Sequence, residues 1–131
     1  MESSSMKPLT QEWVKKAEAD FRSVKRELRV RNQPNLDGAC FHAQQCIEKY
    51  LKARLQEAET PFPKTHNLAH LLDLAKSIEP MWEAMRPGLN RLNLYSVQFR
   101  YPGRDATREI AKEALEICQE TRAIIRESLG F

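Results

Sequence analysis

Apolar residues recur at helical intervals through most of the chain. Trp13, Ala17, Phe21, Val24 and Leu28 predict a first amphipathic helix that starts after Pro8 with Thr10 as its N-cap. Glu12 and Glu18 suit its early turns, and Arg29 and Arg31 suit its end, where charge complements the helix dipole. Residues 32–35 break the pattern, Asp37 is the expected cap of a second helix over 38–59, and Pro61 and Pro63 close that element. A short third helix is expected over 67–78, with Leu68, Leu71, Leu72 and Ala75 inward and Pro80 after it. The fourth is expected over 81–99, with Met81, Met85, Leu92, Tyr95 and Phe99 on one face and a kink or restart at Pro87 and Gly88. After the turn RYPGRD, Asp105 is the expected cap of a fifth helix to Leu129, whose buried band is Ile110, Ala114, Ile117, Cys118, Thr121, Ile124 and Ile125. Four long helices and one short helix joined by short links make an all-α, up-and-down antiparallel bundle.

The second helix departs from this simple pattern. Cys40, Ala43, Cys46, Ile47, Tyr50, Leu51, Ala53 and Leu55 spread over roughly 200° of its circumference, whereas a surface helix needs an apolar band of only about 100°. His42, Gln45, Lys49, Lys52 and Gln56 are confined to one narrow polar stripe. Two burial surfaces follow, one led by Ile47, Leu51 and Leu55 and the other by small residues together with Tyr50. Either one is the domain core and the other a subunit interface, or the helix is the centre of a monomeric bundle, wrapped on both sides.

Composition narrows the picture. At 131 residues the chain is one domain over 9–131, preceded by an expected disordered leader over 1–8, and it is long enough to bury a core without disulfides or metal. Its formal charge of +3 is too small to mark a nucleic-acid binder by itself, so any polyanion binding must come from local clustering. Cys40, Cys46 and Cys118 lie in apolar helical stretches without zinc spacing and read as reduced, buried thiols of a cytoplasmic protein. No run is apolar enough for a signal peptide or a membrane span.

Candidate chemistry is sparse. Gln44 and Glu48 lie one turn apart on the apolar arc. They read either as a buried hydrogen-bonded pair that fixes helix register, with Arg100, Arg104 or a tyrosine hydroxyl as partner, or as the wall of a ligand groove. His66 and His70, like His42 and Cys46, have the one-turn spacing of metal ligands but lack an identifiable third ligand, and His66 better fits a role at the start of the third helix. Glu-x-x-His pairs, P-loop and Rossmann glycines and a nucleophile setting are all absent. Arg100, Arg104 and Arg108, near the first-turn amides of the fifth helix, suit a phosphate, or else anchor a turn and face solvent. The charges flanking the fifth helix read as a solvated face.

The order of these blocks resembles the HEPN domain, named for higher eukaryotes and prokaryotes nucleotide-binding. The blocks are Trp13, Ala17 and Phe21; CFHAQQCIEKYLKARL; Pro63, Thr65, His66, Asn67 and Leu68; and Phe99, Arg100, Tyr101 and Pro102. The resemblance implies a homodimeric helical bundle, often encoded beside a minimal nucleotidyltransferase as its substrate-binding or toxin-antitoxin partner. Nuclease members carry an arginine followed four to six residues later by histidine. Here Arg100 is followed at those positions by Asp105, Ala106 and Thr107, so the general acid or base is missing.

The expectation is therefore a non-catalytic protein that binds a nucleotide or RNA phosphate, without cofactor, metal or membrane. Arg100 and Arg104 would hold phosphate, Tyr101 would stack or donate a hydrogen bond, and Lys49 and Lys52 would add positive potential. Gln44, Glu48, Ala43 and Tyr50 would form groove or interface. The alternatives are a ribonuclease toxin with a displaced catalytic residue and a ligand-free interaction module.

Overall fold

The computed structural model describes residues 6–131. It is all-helical: α1 Pro8–Arg29, α2 Leu36–Glu57, α3 Leu68–Ala75, a 3₁₀ segment Pro80–Met85 that runs into α4 Arg86–Gln98, and α5 Arg108–Ser128. The expected all-α bundle is what forms. The expected disordered leader falls partly outside the described residues, and its last residues are ordered: Met6 is buried, the Lys7 amide donates to Glu57 Oε1 at 3.1 Å, and Pro8 opens α1.

α2 is the interior helix. It packs against α1 and α5 on one side and α3 and α4 on the other. Ala39, Cys40, Ala43, Cys46, Ile47, Tyr50, Leu51, Ala53 and Leu55 are fully buried within this one chain. Both wide apolar surfaces are thus covered by the chain's own helices, which decides for the wrapped central helix. The polar stripe is drawn in as well. Lys52, expected on the surface, is only 6% exposed because Glu48, one turn earlier, accepts from its Nζ at 2.9 Å and Trp13 covers the ammonium at 5.5 Å.

The caps differ from expectation. Pro8 presets the first turn of α1 and needs no backbone donor, so the helix begins ahead of Thr10, which is buried inside it. Asn35, not Asp37, caps α2 by accepting from the Gly38 amide at 2.8 Å. Asp37 instead accepts from the Ala106 amide at 2.7 Å and ties down the approach to α5. Thr107, not Asp105, caps α5 by accepting from the Ile110 amide at 3.1 Å. α2 stops at Glu57 rather than Glu59 because Glu59 is left-handed, with φ 58°, and the Thr60 amide folds back to the Leu55 carbonyl at 2.9 Å.

The expected fourth helix divides at Pro87 and Gly88. The 3₁₀ turns before it shift the phase, so Met81 is exposed while Leu89 is buried beside Leu92. A Cβ on Gly88 would lie 3.0 Å from Ile117 Cγ2, so the glycine permits the close crossing of α4 over α5. On α5, Ile124 is exposed and Ala111 takes a place in the core. Arg122 and Arg126, read as solvated, turn toward α1 and α2. Arg122 forks onto Glu18 at 2.6 and 2.8 Å, and Arg126 Nη1 donates to the Tyr50 hydroxyl at 3.0 Å.

The three cysteines are free and buried. Burial pushes the Cys40 thiol up to about 11, and a hydrogen bond with Cys118, followed by burial, raises that of Cys46. Both stay protonated and poorly nucleophilic at neutral pH.

Candidate nucleotide-binding groove

An open groove of about 540 Å³ lies between α2, the start of α3 and α4. α2 contributes Phe41, Gln44 and Gln45; α4 contributes Asn93, Ser96, Val97 and Arg100, the last just past its end; His66 and Asn67 close the rim. Steps of three and four put the α4 residues on one helical face.

The walls are built from hydrogen bonds that also define the local fold. Asn67 caps α3 by accepting from the amides of Ala69 and His70 at 2.9 and 3.4 Å. Its side chain also accepts from Asn93 Nδ2 at 3.0 Å, and Asn93 Oδ1 accepts from the Leu68 amide at 3.2 Å, joining α3 to α4. Gln44 Nε2 donates to the His66 carbonyl at 2.6 Å and holds the segment before α3 against α2.

Behind this wall sits Glu48, 3% exposed. Its neighbours are Lys52 Nζ at 2.9 Å, Gln45 Nε2 at 3.1 Å and His66 Nδ1 at 3.0 Å. A carboxylate can only accept, so Nδ1 carries the imidazole proton. The His66 side chain is otherwise 83% exposed, which leaves Nε2 facing water at the groove. Gln44 and Glu48 are hydrogen-bonded and buried, as one reading of the sequence has it. Their partners, however, are Gln45, Lys52 and His66, not Arg100, Arg104 or a tyrosine, because the chain before α3 folds back over this turn of α2.

The other candidate residues scatter. Arg100 lines the groove, is exposed, and has no carboxylate partner among the described residues. Tyr101 and Arg104 are exposed on the following turn and do not line it. Arg108 donates to the Leu28 and Val30 carbonyls, both at 3.2 Å, and so caps the end of α1. Lys49 is neutralised by Asp20 at 2.6 Å and Lys52 by Glu48, so neither adds free positive potential. Ala43 and Tyr50 are enclosed by the chain itself and reach neither groove nor exterior. Sequence reasoning missed Asn93, Ser96 and Asn67. The signal was present as polar residues at helical spacing leading up to Arg100.

The HEPN domain model matches residues 10–128. The chain belongs to the HEPN family. The fold of this HEPN chain is also that of a crystal structure of an archaeal HEPN homologue, with a TM-score of 0.68 and 21% identity over 92% of this chain and 97% of that one. None of the curated proteins matches. The fold gives other work to two of the positions where nuclease members of the family carry histidine: Ala106 is buried and its amide donates to Asp37, while Thr107 caps α5.

Proposed function

We propose that the groove binds the phosphate of a nucleotide or of RNA, with Arg100 as the anion-binding group and the amides of Gln44, Gln45, Asn67 and Asn93 meeting the base or ribose. The observation that carries this reading is an unpaired guanidinium at one end of a groove walled by amide side chains, since guanidinium forks suit phosphate oxygens and amides recognise base edges. Tyr101, adjacent in the chain, stacks on a ligand that extends past Arg100, and Arg104 meets any further phosphate. Calorimetry with nucleoside monophosphates, nucleoside triphosphates and a short RNA tests the assignment. Arg100→Ala is expected to weaken binding about tenfold, close to one charge-assisted hydrogen bond. Unchanged affinity for every probe would overturn it.

Two further parts of the proposal concern partners. Phe41 on α2 and Leu94, Val97 and Tyr101 along α4 leave exposed apolar side chains beside the groove. They fit a homodimer whose second copy closes the groove. Association with a minimal nucleotidyltransferase rests on family membership alone, and a pull-down against such a protein from a neighbouring reading frame tests it.

One observation favours a second reading, ribonuclease activity. His66 lines the same groove as Arg100, and its Nδ1 is held by a buried carboxylate, the arrangement that orients an imidazole for proton transfer. His66 Nε2 would take the proton of a ribose 2′-hydroxyl while Arg100 stabilises the charge at phosphorus. RNA left intact by the purified protein after long incubation would dispose of this reading while leaving the binding proposal standing.

A further inference from the structure

The net charge of +3 conceals a segregation of charge on the surface. Lys15, Arg22, Arg26 and Arg29 are exposed and recur at steps of seven, four and three, which aligns them in one row along the outside of α1. Lys16 is exposed on its flank. The row is about 21 Å long at the rise of an α-helix. None of these five residues is ion-paired among the described residues.

The acids of α1 explain why the row is so one-sided. Glu18 is taken by Arg122, Asp20 by His42 and Lys49, and Glu27 Oε1 accepts from the Asn35 amide at 2.8 Å. Glu12 alone is left on the outside of α1 among its acids. On the neighbouring helix α5 the pattern inverts, with Glu109, Glu116, Glu120 and Glu127 exposed. The basic row is therefore bordered by an acidic one.

We infer that the outer face of α1 docks the phosphodiester backbone of a nucleic acid, on a surface separate from the groove. α1 packs on α2 and α5, whereas the groove is walled by α2, α4 and the start of α3. Four unpaired cations in a line, three of them guanidinium groups, match a row of phosphates, and each phosphate neutralised releases condensed counterions. The acidic row on α5 confines the polyanion to α1.

The same observations disfavour other occupants. A second copy placing its α5 glutamates on this row would form only solvated ion pairs around Ala19, with no apolar centre, and such pairs contribute little. An anionic membrane would need apolar side chains to insert, yet Val14, Ala17, Phe21 and Val24 are buried inward.

Fluorescence anisotropy with a labelled mixed-sequence RNA of about 20 nucleotides, single-stranded and as a duplex, tests the inference across a salt series. Four phosphate contacts predict log K falling against log salt with a slope of about −3 for the single strand and about −3.5 for the duplex. Lys15→Gln/Arg22→Gln/Arg26→Gln changes only solvated side chains, and it is expected to weaken binding at least tenfold and to flatten the slope to about −1. Glu116→Gln/Glu120→Gln is expected to tighten binding. Arg100→Ala is expected to keep the wild-type slope to within about one contact, which separates this surface from the groove. A wild-type slope in the triple variant overturns the inference, as does an absence of salt-dependent RNA binding by the wild type. So does a triple variant that instead loses a salt-sensitive dimer or adsorption to anionic vesicles while its RNA binding is unchanged.

Discussion

Glu48→Ala is expected to lower the stability of the fold by about 3–5 kcal/mol, the cost of removing one partner from a buried ion pair. The Lys52 side chain is 8% exposed and that of Glu48 4%, so water does not reach the ammonium once the carboxylate is gone. The face of Trp13 remains as its companion and cannot replace a full charge. The substitution also removes the acceptor of Gln45 and His66, loosening the wall of the groove. Urea melts measure the loss. Glu48→Ala/Lys52→Met should recover most of it, because an apolar replacement of both partners removes the stranded charge. A single variant within 1 kcal/mol of wild type, a threshold set by the median for solvated pairs, would show that the pair is hydrated and that the cluster does not hold the interior together.

Glu18→Gln is expected to cost about 1.5–3 kcal/mol at neutral pH, the range for hydrogen bonds to charged groups, and to make the acid limb of the stability profile shallower. Burial works against ionisation of Glu18, but the hydrogen bonds from Arg122 and then Tyr50, with the positive charge of Arg122 and Arg126, outweigh it. Together they hold the carboxyl below its ordinary value of 4.5. A carboxyl lowered in the folded state stabilises the fold fully above its unfolded pKa, and that contribution is lost as pH falls through the folded pKa. Wild-type stability should therefore begin to fall below about pH 5, with the unfolded carboxyl, and continue falling into more acid solution. Glu18→Gln removes this component of the slope. Denaturant melts at several pH values between about 3 and 7 check the sign, and equal acid slopes in the two proteins would contradict it.

The helices were legible because apolar residues at steps of three and four have one physical meaning in a chain of this length. Their ends were less so. Asn35 and Asp37, or Asp105 and Thr107, are chemically equivalent caps a few residues apart, and the choice falls to distant partners such as the Ala106 amide that takes up Asp37. Met81 and Leu89 were misplaced because a 3₁₀ turn changes the period within what reads as one helix. Lys52 broke the rule that lysine marks a surface, since a carboxylate one turn away let it enter the core.

The candidate site was legible only where it lay on one helix. Arg100 and the polar face leading to it could be read from spacing. The meeting of His66 with Glu48 depends on how the segment between α2 and α3 folds back, which no local pattern encodes. Nor does local pattern show which charges of α1 are matched internally and which are left outside.

The attachment of that segment has one more consequence. The His66 carbonyl is held by Gln44 and its ring by Glu48, both on the innermost helix, while Asn67 is tied across to Asn93. The rim of the groove therefore cannot swing open like a lid on its own timescale, because freeing it exposes the charged interior of the bundle. A ligand arriving there meets a preformed cleft, and its occupancy is registered by the cooperative unfolding of the whole domain rather than by the ordering of a loop.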